Sequence, residues 1–285
     1  MSAALSSIGR VLGRPPIGIV LAIATVVVIL VAAIFAPLIA PYDPNVQNLL
    51  GRLKPPGFVI RNTHYLLGSD ELGRDTFSRL IYGARISLLV AFASVVLSGI
   101  TGSILGMLAA LYRGWVETVI MRAVDIVLSI PAILMAIITV ATLGPGLQNV
   151  VFVLVLTRWP RYARVAYGQT LIIANTSYLR LSRSMGAGWF HILRYHVLPN
   201  IAGAIVVVVT LEFGLMVLFE AGLSFLGLGV QPPTASWGVM LSVGRNYVAN
   251  AWWLSVIPGA ALFLFVLSVN VLGDFLRDRL DPRSR

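Results

Sequence analysis

The sequence predicts an all-α membrane protein with six transmembrane helices, and three observations support this class. Hydrophobic residues make up 58% of the 285 residues, charged residues make up 11%, and the mean hydropathy is +0.89. A soluble domain carries roughly a quarter charged residues, about twice this share. Several uncharged runs reach the roughly 20 residues that a helix needs to cross a bilayer. The arginines flank or enter these runs and form no separate polar domain.

Composition also excludes several kinds of function. The net charge of +10 comes from 20 arginines and one lysine. Because no polar domain carries them, these charges indicate contact with anionic lipid and an excess of arginine on the cytoplasmic side of the membrane. They do not indicate nucleic-acid binding. The chain has no cysteine, which excludes disulfides, thiolate catalysis and cysteine metal sites. Of its three histidines, only His191 and His196 lie near each other in the sequence, and His64 has no histidine at a metal-ligand spacing. We therefore predict no metal site and no catalytic residue.

The first span is predicted at residues 17–40, after a cytoplasmic segment at 1–16. Its 24 uncharged residues exceed the about 7–15 apolar residues of a signal peptide, so we predict a spanning helix and not a cleaved leader. The other predicted spans are Ile86–Leu111, Ala123–Leu143, a fourth beginning near Leu147, Ile201–Leu228 and Trp252–Gly273.

The fourth span is the weakest, because Arg158 follows only eleven uncharged residues. It can cross the bilayer only if Arg158, Arg161 and Arg164 face protein or water.

Arginines set the predicted orientation. With six spans, the arginines of both termini and of the segment between the fourth and fifth spans fall on one side, which the positive-inside rule makes cytoplasmic. Residues 275–285 are then a cytoplasmic tail, and 41–85 form a long outer loop. Trp237, Trp252 and Trp253 are predicted to form an interfacial belt on the outer side. Within the outer loop, Asp75 can cap a short surface helix at Thr76–Tyr82.

Residues 176–200 are predicted to form a hairpin of two short helices between the fourth and fifth spans. Tyr178–Met185 can form the first helix, and Gly186 can end it in the left-handed conformation. Trp189–His196 can form the second, stopped by Pro199. A basic hairpin at the membrane surface indicates a docking element, and the alternative is a plain connector.

The hairpin resembles the cytoplasmic coupling loop of ATP-binding-cassette (ABC) importer permeases. The residues that match this family at its spacing are Tyr178, Gly186, Ala187, Leu198, Pro199 and Asn200. Arg180-Leu181-Ser182 stand where the family has Glu-Ala-Ala. Segments similar to the dipeptide, oligopeptide and nickel subgroup extend over most of residues 40–283: Leu67–Leu88, Arg122–Ile138, Glu220–Pro233 and Gly273–Pro282.

The resemblance implies a type I ABC importer permease, the shorter of two permease types, in the bacterial inner membrane. Such a chain pairs with a second homologous permease, docks two ATPase subunits that carry ATP and Mg²⁺, and receives solute from an external binding protein. The permease core would cover 86–274. The chain lacks a Gly-x-x-x-x-Gly-Lys-Ser/Thr loop, so we predict no cofactor and no enzymatic activity for it. The predicted ATPase-docking residues are Tyr178, Arg180, Leu181, Ser182, Arg183, Met185, Gly186 and Ala187.

A charged pair is predicted within the translocation path. Arg158 lies about 16 Å into the fourth span and Glu212 about 18 Å into the fifth, so they reach similar depth. Pairing avoids an isolated intramembrane charge, and the pair is either structural or part of the path. Arg161 and Arg164 continue a basic stripe suited to a carboxylate, and Glu220 is the remaining path candidate.

Several functional alternatives remain open at this point. The resemblance implies di- or oligopeptides, with nickel chelates, glutathione and opines as other solutes of the subgroup. An ion-coupled secondary carrier would use Asp125, Glu212 and Glu220, but it has no need of the hairpin. A membrane-embedded enzyme would need a nucleophile or metal motif that the sequence lacks. The outer loop either contacts the binding protein or packs as a lid on its own spans.

Overall fold

The computed structural model describes residues 16–60 and 63–280, with residues 183 and 280 described by their backbone alone. Almost all of the predicted segment 1–16 and the last five residues of the tail lie outside this range. The described chain is mostly helical. Its helices are α1 Ile17–Ile34, α2 Ala36–Ile39, α3 Thr76–Tyr112, α4 Gly114–Ser129, α5 Ala132–Leu143, α6 Leu147–Ala174, α7 Ser177–Ser184, α8 Trp189–His191, α9 Leu198–Phe225, α10 Trp237–Gly244 and α11 Trp253–Leu280.

Four helical stretches in the described part are long and apolar enough to cross a membrane. They are α1, α3, the continuous stretch Trp189–Phe225 that contains α8 and α9, and Trp253–Arg279 of α11. The bent pair of α4 and α5 makes a fifth if both helices belong to one span. The 28 residues of α6 give it a length of about 42 Å, but its arginines lower its hydropathy. The chain is therefore an integral membrane protein.

The second predicted span and the surface helix before it are one helix. α3 runs without a break over 37 residues, about 55 Å, so the prediction of a separate surface helix at Thr76–Tyr82 was wrong. Asp75 does cap this helix, since its carboxylate accepts a hydrogen bond of 2.8 Å from the Ser78 amide. Gly83 does not interrupt α3; a Cβ there would lie 3.3 Å from the Ser236 backbone, so this glycine allows close packing.

The third predicted span, Ala123–Leu143, is broken. α4 ends at Ser129 and α5 begins at Ala132, and their axes differ by 92°. Pro131 explains the break, because it lacks an amide hydrogen and disfavours helical geometry in Ile130 before it. Ile130 is accordingly extended, with φ −94° and ψ 128°.

Pro199 does not stop the second hairpin helix, contrary to prediction. The helix continues from Trp189 through a π-helical segment at Ile192–Val197 into α9. Within that segment the Leu198 amide donates to the carbonyl of Leu193, five residues back. Pro199 then falls in the first turn of α9, where a missing amide hydrogen costs little.

The centre of the fold is the packing of α3 along α6, with α9 against both of them and α11 against α9. Gly102 and Gly106 of α3 make this approach possible: a Cβ on either would lie 2.2 Å from a carbonyl oxygen of α6, that of Trp159 or Ala163. The buried core around this contact includes Val90, Leu154, Met216, Phe265 and Trp237.

The described outer residues, 41–60 and 63–75, pack on the start of α11. A short antiparallel hairpin, β1 Phe58–Ile60 and β2 Thr63–Tyr65, lies within it. The Trp253 indole donates to the Ser69 carbonyl at 3.2 Å, and Gly68 lies so close to the same ring that a Cβ would meet it at 2.7 Å. This packing favours the lid alternative. Trp253 and Trp237 are buried, so of the three predicted belt residues only Trp252 is exposed.

Candidate functional site

Three charged side chains of α6 and α9 meet in the interior of the helical bundle. Arg158 Nη1 lies 3.7 Å from Glu212 Oε2, and Arg161 Nη1 donates to Glu212 Oε1 at 2.8 Å. The predicted pairing of Arg158 with Glu212 is therefore present in the structure, and Arg161 shares the same carboxylate. Two guanidinium groups and one carboxylate leave the cluster with one excess positive charge.

The two arginines have different surroundings. The side chain of Arg158 is 4% exposed and that of Glu212 is 5% exposed, whereas that of Arg161 is 50% exposed. Arg158 stacks over the ring of Phe219 at 3.9 Å from its centroid, which shields its guanidinium. Its Nε and Nη2 atoms make no hydrogen bond. Arg158 is thus enclosed in the protein, while Arg161 reaches the surface of the bundle.

Three arginines and a tyrosine follow one another along α6 at a spacing of three. We call Arg158, Arg161, Arg164 and Tyr167 the α6 row. Arg164 donates to the Asp125 carboxylate, and the Tyr167 hydroxyl donates to the Glu117 carboxylate. Both acceptors lie on α4, so the row has its partners on α9 at one end and on α4 at the other.

Part of this row was not predicted from the sequence. Tyr167 and Glu117 were not among the predicted site residues, although Tyr167 continues the spacing of three that connects the arginines. Asp125 was considered only as an ion-binding carboxylate. In the structure it pairs with Arg164 at the surface, with side chains 53% and 58% exposed.

Glu220 is separate from the row. It is fully buried and accepts hydrogen bonds from Ser87 of α3 at 2.7 Å and from Ser224 at 2.8 Å. The Trp237 amide of α10 donates to the same Ser87 hydroxyl at 3.3 Å. The structure therefore places Glu220 in a closed polar contact that joins α3, α9 and α10, and does not bring it to the arginines.

The hairpin presents an apolar face. α7 buries Leu179 completely and exposes Tyr178 and Leu181, and Met185 directly after it is 80% exposed. Gly186 follows with φ +86°, which confirms the predicted left-handed residue. An open hollow of about 600 Å³ lies beside this face. Its lining residues are Tyr178, Leu181, Ser182, Met185, Gly186, Ala187, Gly188, His191 and His196.

Polar contacts fix the hairpin to the end of α6. Arg180 Nη2 donates to the Asn175 carbonyl at 2.9 Å, and Arg113 Nη2 approaches the Asn175 side-chain oxygen at 3.4 Å. The Ala187 amide donates to the Ser182 carbonyl at 3.1 Å and closes the turn. Arg180, which stands where the importer motif has glutamate, therefore binds its own chain. The side chain of Arg183 lies outside the described structure.

Comparison with known proteins identifies the family. Residues 102–285 match the family described as binding-protein-dependent transport system inner membrane component. Residues 18–56 match the N-terminal transmembrane domain of oligopeptide transport permease C. The chain is 45% identical to the di/tripeptide transport system permease protein DppC of Pseudomonas aeruginosa, over 90% of this chain and 85% of that protein. It is 40% identical to the glutathione transport system permease protein GsiD of Pectobacterium atrosepticum, over 91% of this chain and 85% of that protein.

A solved structure of the MetNI methionine ABC transporter has the same fold. The TM-score is 0.59 at 22% sequence identity, and the match covers 72% of this chain and 97% of that chain. At this identity the likeness shows the fold alone. Together with the sequence relatives, it agrees with the predicted permease class. The chain belongs to the family of inner membrane components of binding-protein-dependent transport systems.

Proposed function

We propose that this chain is one permease subunit of an ATP-driven importer that carries di- or oligopeptides across the bacterial inner membrane. The observation that carries the proposal is the 45% identity to a di/tripeptide permease over 90% of the chain. The cluster of Arg158, Arg161 and Glu212 supports it, because charged side chains within a helical bundle suit a solute with charged ends.

The proposed topology has six spans, formed by α1, α3, the α4–α5 pair, α6, α9 and α11. Including α6 requires its arginines to avoid lipid. Arg158 and Arg161 bind Glu212, and Arg164 binds Asp125, which supports this assignment. Six spans place both termini on one side, and the arginines near both ends and in the hairpin favour the cytoplasm.

The proposed partners are a second homologous permease, two ATPase subunits carrying ATP and Mg²⁺, and an external binding protein. The hairpin would dock an ATPase, since it exposes Tyr178, Leu181 and Met185 beside an open hollow. Exposed apolar side chains around a hollow are typical of a protein-protein contact. ATP binding would close the ATPases and move the hairpin, and the spans would then tilt between inward-open and outward-open states.

Glutathione is a second candidate solute, favoured by the 40% identity to a glutathione permease. Nickel chelates and opines rest on the family resemblance alone. An ion-coupled carrier is disfavoured, because Glu212 and Asp125 both bind arginines and Glu220 binds two serines.

Uptake by the complete complex in proteoliposomes tests the proposal. The complex contains this chain, the second permease, both ATPases and the binding protein, and the solute is a labelled dipeptide such as Ala-Ala. We expect uptake that requires ATP inside the vesicles and that persists when an ionophore removes the proton gradient. Uptake that follows the proton gradient without ATP would contradict the proposal.

A further inference from the structure

The two arginines that share Glu212 differ in their access to the surface of the bundle. A guanidinium has five N–H donors, and Glu212 Oε1 accepts one hydrogen bond from Arg161. Half of the Arg161 side chain is exposed, so its remaining donors can reach a ligand at the surface of the bundle. Arg158 has no such access, since its side chain is 4% exposed and covered by Phe219.

The charges of the row follow an order along α6. The Arg158–Arg161–Glu212 cluster carries one excess positive charge, the Arg164–Asp125 pair is neutral, and the Tyr167–Glu117 pair carries one negative charge. Arg161 and Tyr167 are six residues apart, about 9 Å along the helix axis and about 120° around it, so they face different directions. The excess positive charge at Arg161 is therefore the part of the row that suits a peptide, as a partner for its carboxylate end.

We infer that Arg161 binds the terminal carboxylate of the peptide during its passage, with Glu212 as the internal counter-ion that the peptide displaces. This inference rests on the proposed function and adds the residue that recognises the solute. When the peptide carboxylate binds Arg161 in place of Glu212, Glu212 remains 3.7 Å from Arg158, so neither buried charge is left without an ionic partner. Arg161 can therefore change partner without the cost that isolation of Glu212 would impose.

The test compares a dipeptide with its C-terminal amide in the reconstituted complex, each at a concentration that saturates the binding protein. Saturation removes any difference in capture by the binding protein from the comparison. The variants are Arg161→Gln and Arg161→Lys, and Arg277→Gln on the exposed surface of α11 makes the same charge change away from the row. Wild type is expected to transport the free acid faster than the amide. Arg161→Gln should lower that ratio about tenfold, the effect of losing one charge-assisted hydrogen bond.

Arg161→Lys should keep part of the discrimination because it keeps the charge, and Arg277→Gln should keep all of it. An unchanged ratio in Arg161→Gln would overturn the inference, as would a wild type that does not discriminate. Loss of both transport rates together with failure to copurify with the second permease would also overturn it, since Arg161 would then act at a subunit contact. A wild type without ATP-dependent uptake of either peptide would overturn the proposed function itself, and the inference with it.

Discussion

Arg158 of α6 and Glu212 of α9 lie 3.7 Å apart in the interior of the bundle, both almost fully enclosed. Arg161 binds the other oxygen of the same carboxylate at 2.8 Å. Because Glu212 is shared by two arginines, a charge swap between Arg158 and Glu212 does not restore the wild-type contacts. Reversing Arg158 and Glu212 would place an arginine against Arg161, so the swap introduces a new repulsion.

A double-mutant cycle with Arg158→Met and Glu212→Gln tests the buried pair. Glu212→Gln leaves Arg158 buried without an anion, and we expect a loss of about 3–5 kcal/mol in the free energy of unfolding. The double variant should be more stable than Glu212→Gln alone, because it removes the stranded charge. Thermal unfolding in detergent measures the stability of the wild type, the two single variants and the double variant. Strictly additive effects would contradict direct pairing.

Gly102 tests the close packing of α3 on α6. Gly102→Ala places a Cβ 2.2 Å from the Trp159 carbonyl, whereas Gly99→Ala, one turn away on the same helix, meets its nearest atom at 3.6 Å. We expect Gly102→Ala to cost about 1–3 kcal/mol through overpacking and Gly99→Ala to be close to neutral. Equal melting temperatures for the two variants would show that the helices pack less closely than described.

Gly186→Val tests the hairpin as the ATPase contact. A Cβ at Gly186 meets no atom within 4 Å, so the strain comes only from φ +86° and costs about 1 kcal/mol or more. Gly188→Val is the matched control, because Gly188 has φ −66° and equally open space. We expect Gly186→Val to insert normally but to lose ATPase copurification and transport, while Gly188→Val keeps both. Normal transport by Gly186→Val would refute this role.

Asp75 tests the cap at the outer end of α3. Asp75→Ala should destabilise the protein by about 0.5–2 kcal/mol through loss of the Ser78 contact, and Asp75→Asn should retain most of the cap. Burial raises the pKa of the Asp75 carboxyl above its ordinary value. The folded state therefore holds this proton to higher pH than the unfolded state does. Stability should fall as pH rises from about 4 through the raised pKa.

The Asp75→Asn variant should lose that part of the pH dependence. Unfolding measured at several pH values checks it, and an unchanged profile would exclude Asp75 as its source.

Depth along the helices was predictable because it depends only on residue counts. Arg158 and Glu212 were placed at similar depth from their positions in two spans, and the structure brings them together. The better hydrogen bond of Arg161 to the same carboxylate was not predictable, since it depends on side-chain conformation and on the rotation of α6 against α9. The role of Glu220 in a closed contact also depends on Ser87, which is distant in sequence.

Helix boundaries were less predictable because tertiary packing overrides local signals. Pro131 breaks a helix and Pro199 does not, since a π-helical segment precedes the second and places it in a first helical turn. α3 continues through Gly83 because that glycine packs against α10. The hairpin turn at Gly186 was predictable, since a glycine after two helical turns supplies the required conformation locally.

The most direct experiment locates a peptide on the α6 row during transport. A dipeptide carrying a small photoreactive group is supplied to the complete complex with its binding protein, illuminated with and without ATP, and the adducts are located by mass spectrometry. We expect ATP-dependent adducts on α6 between Arg161 and Tyr167 and on α4 near Asp125, reduced by excess unlabelled dipeptide. Adducts confined to other helices, or unaffected by ATP and by competition, would contradict this prediction.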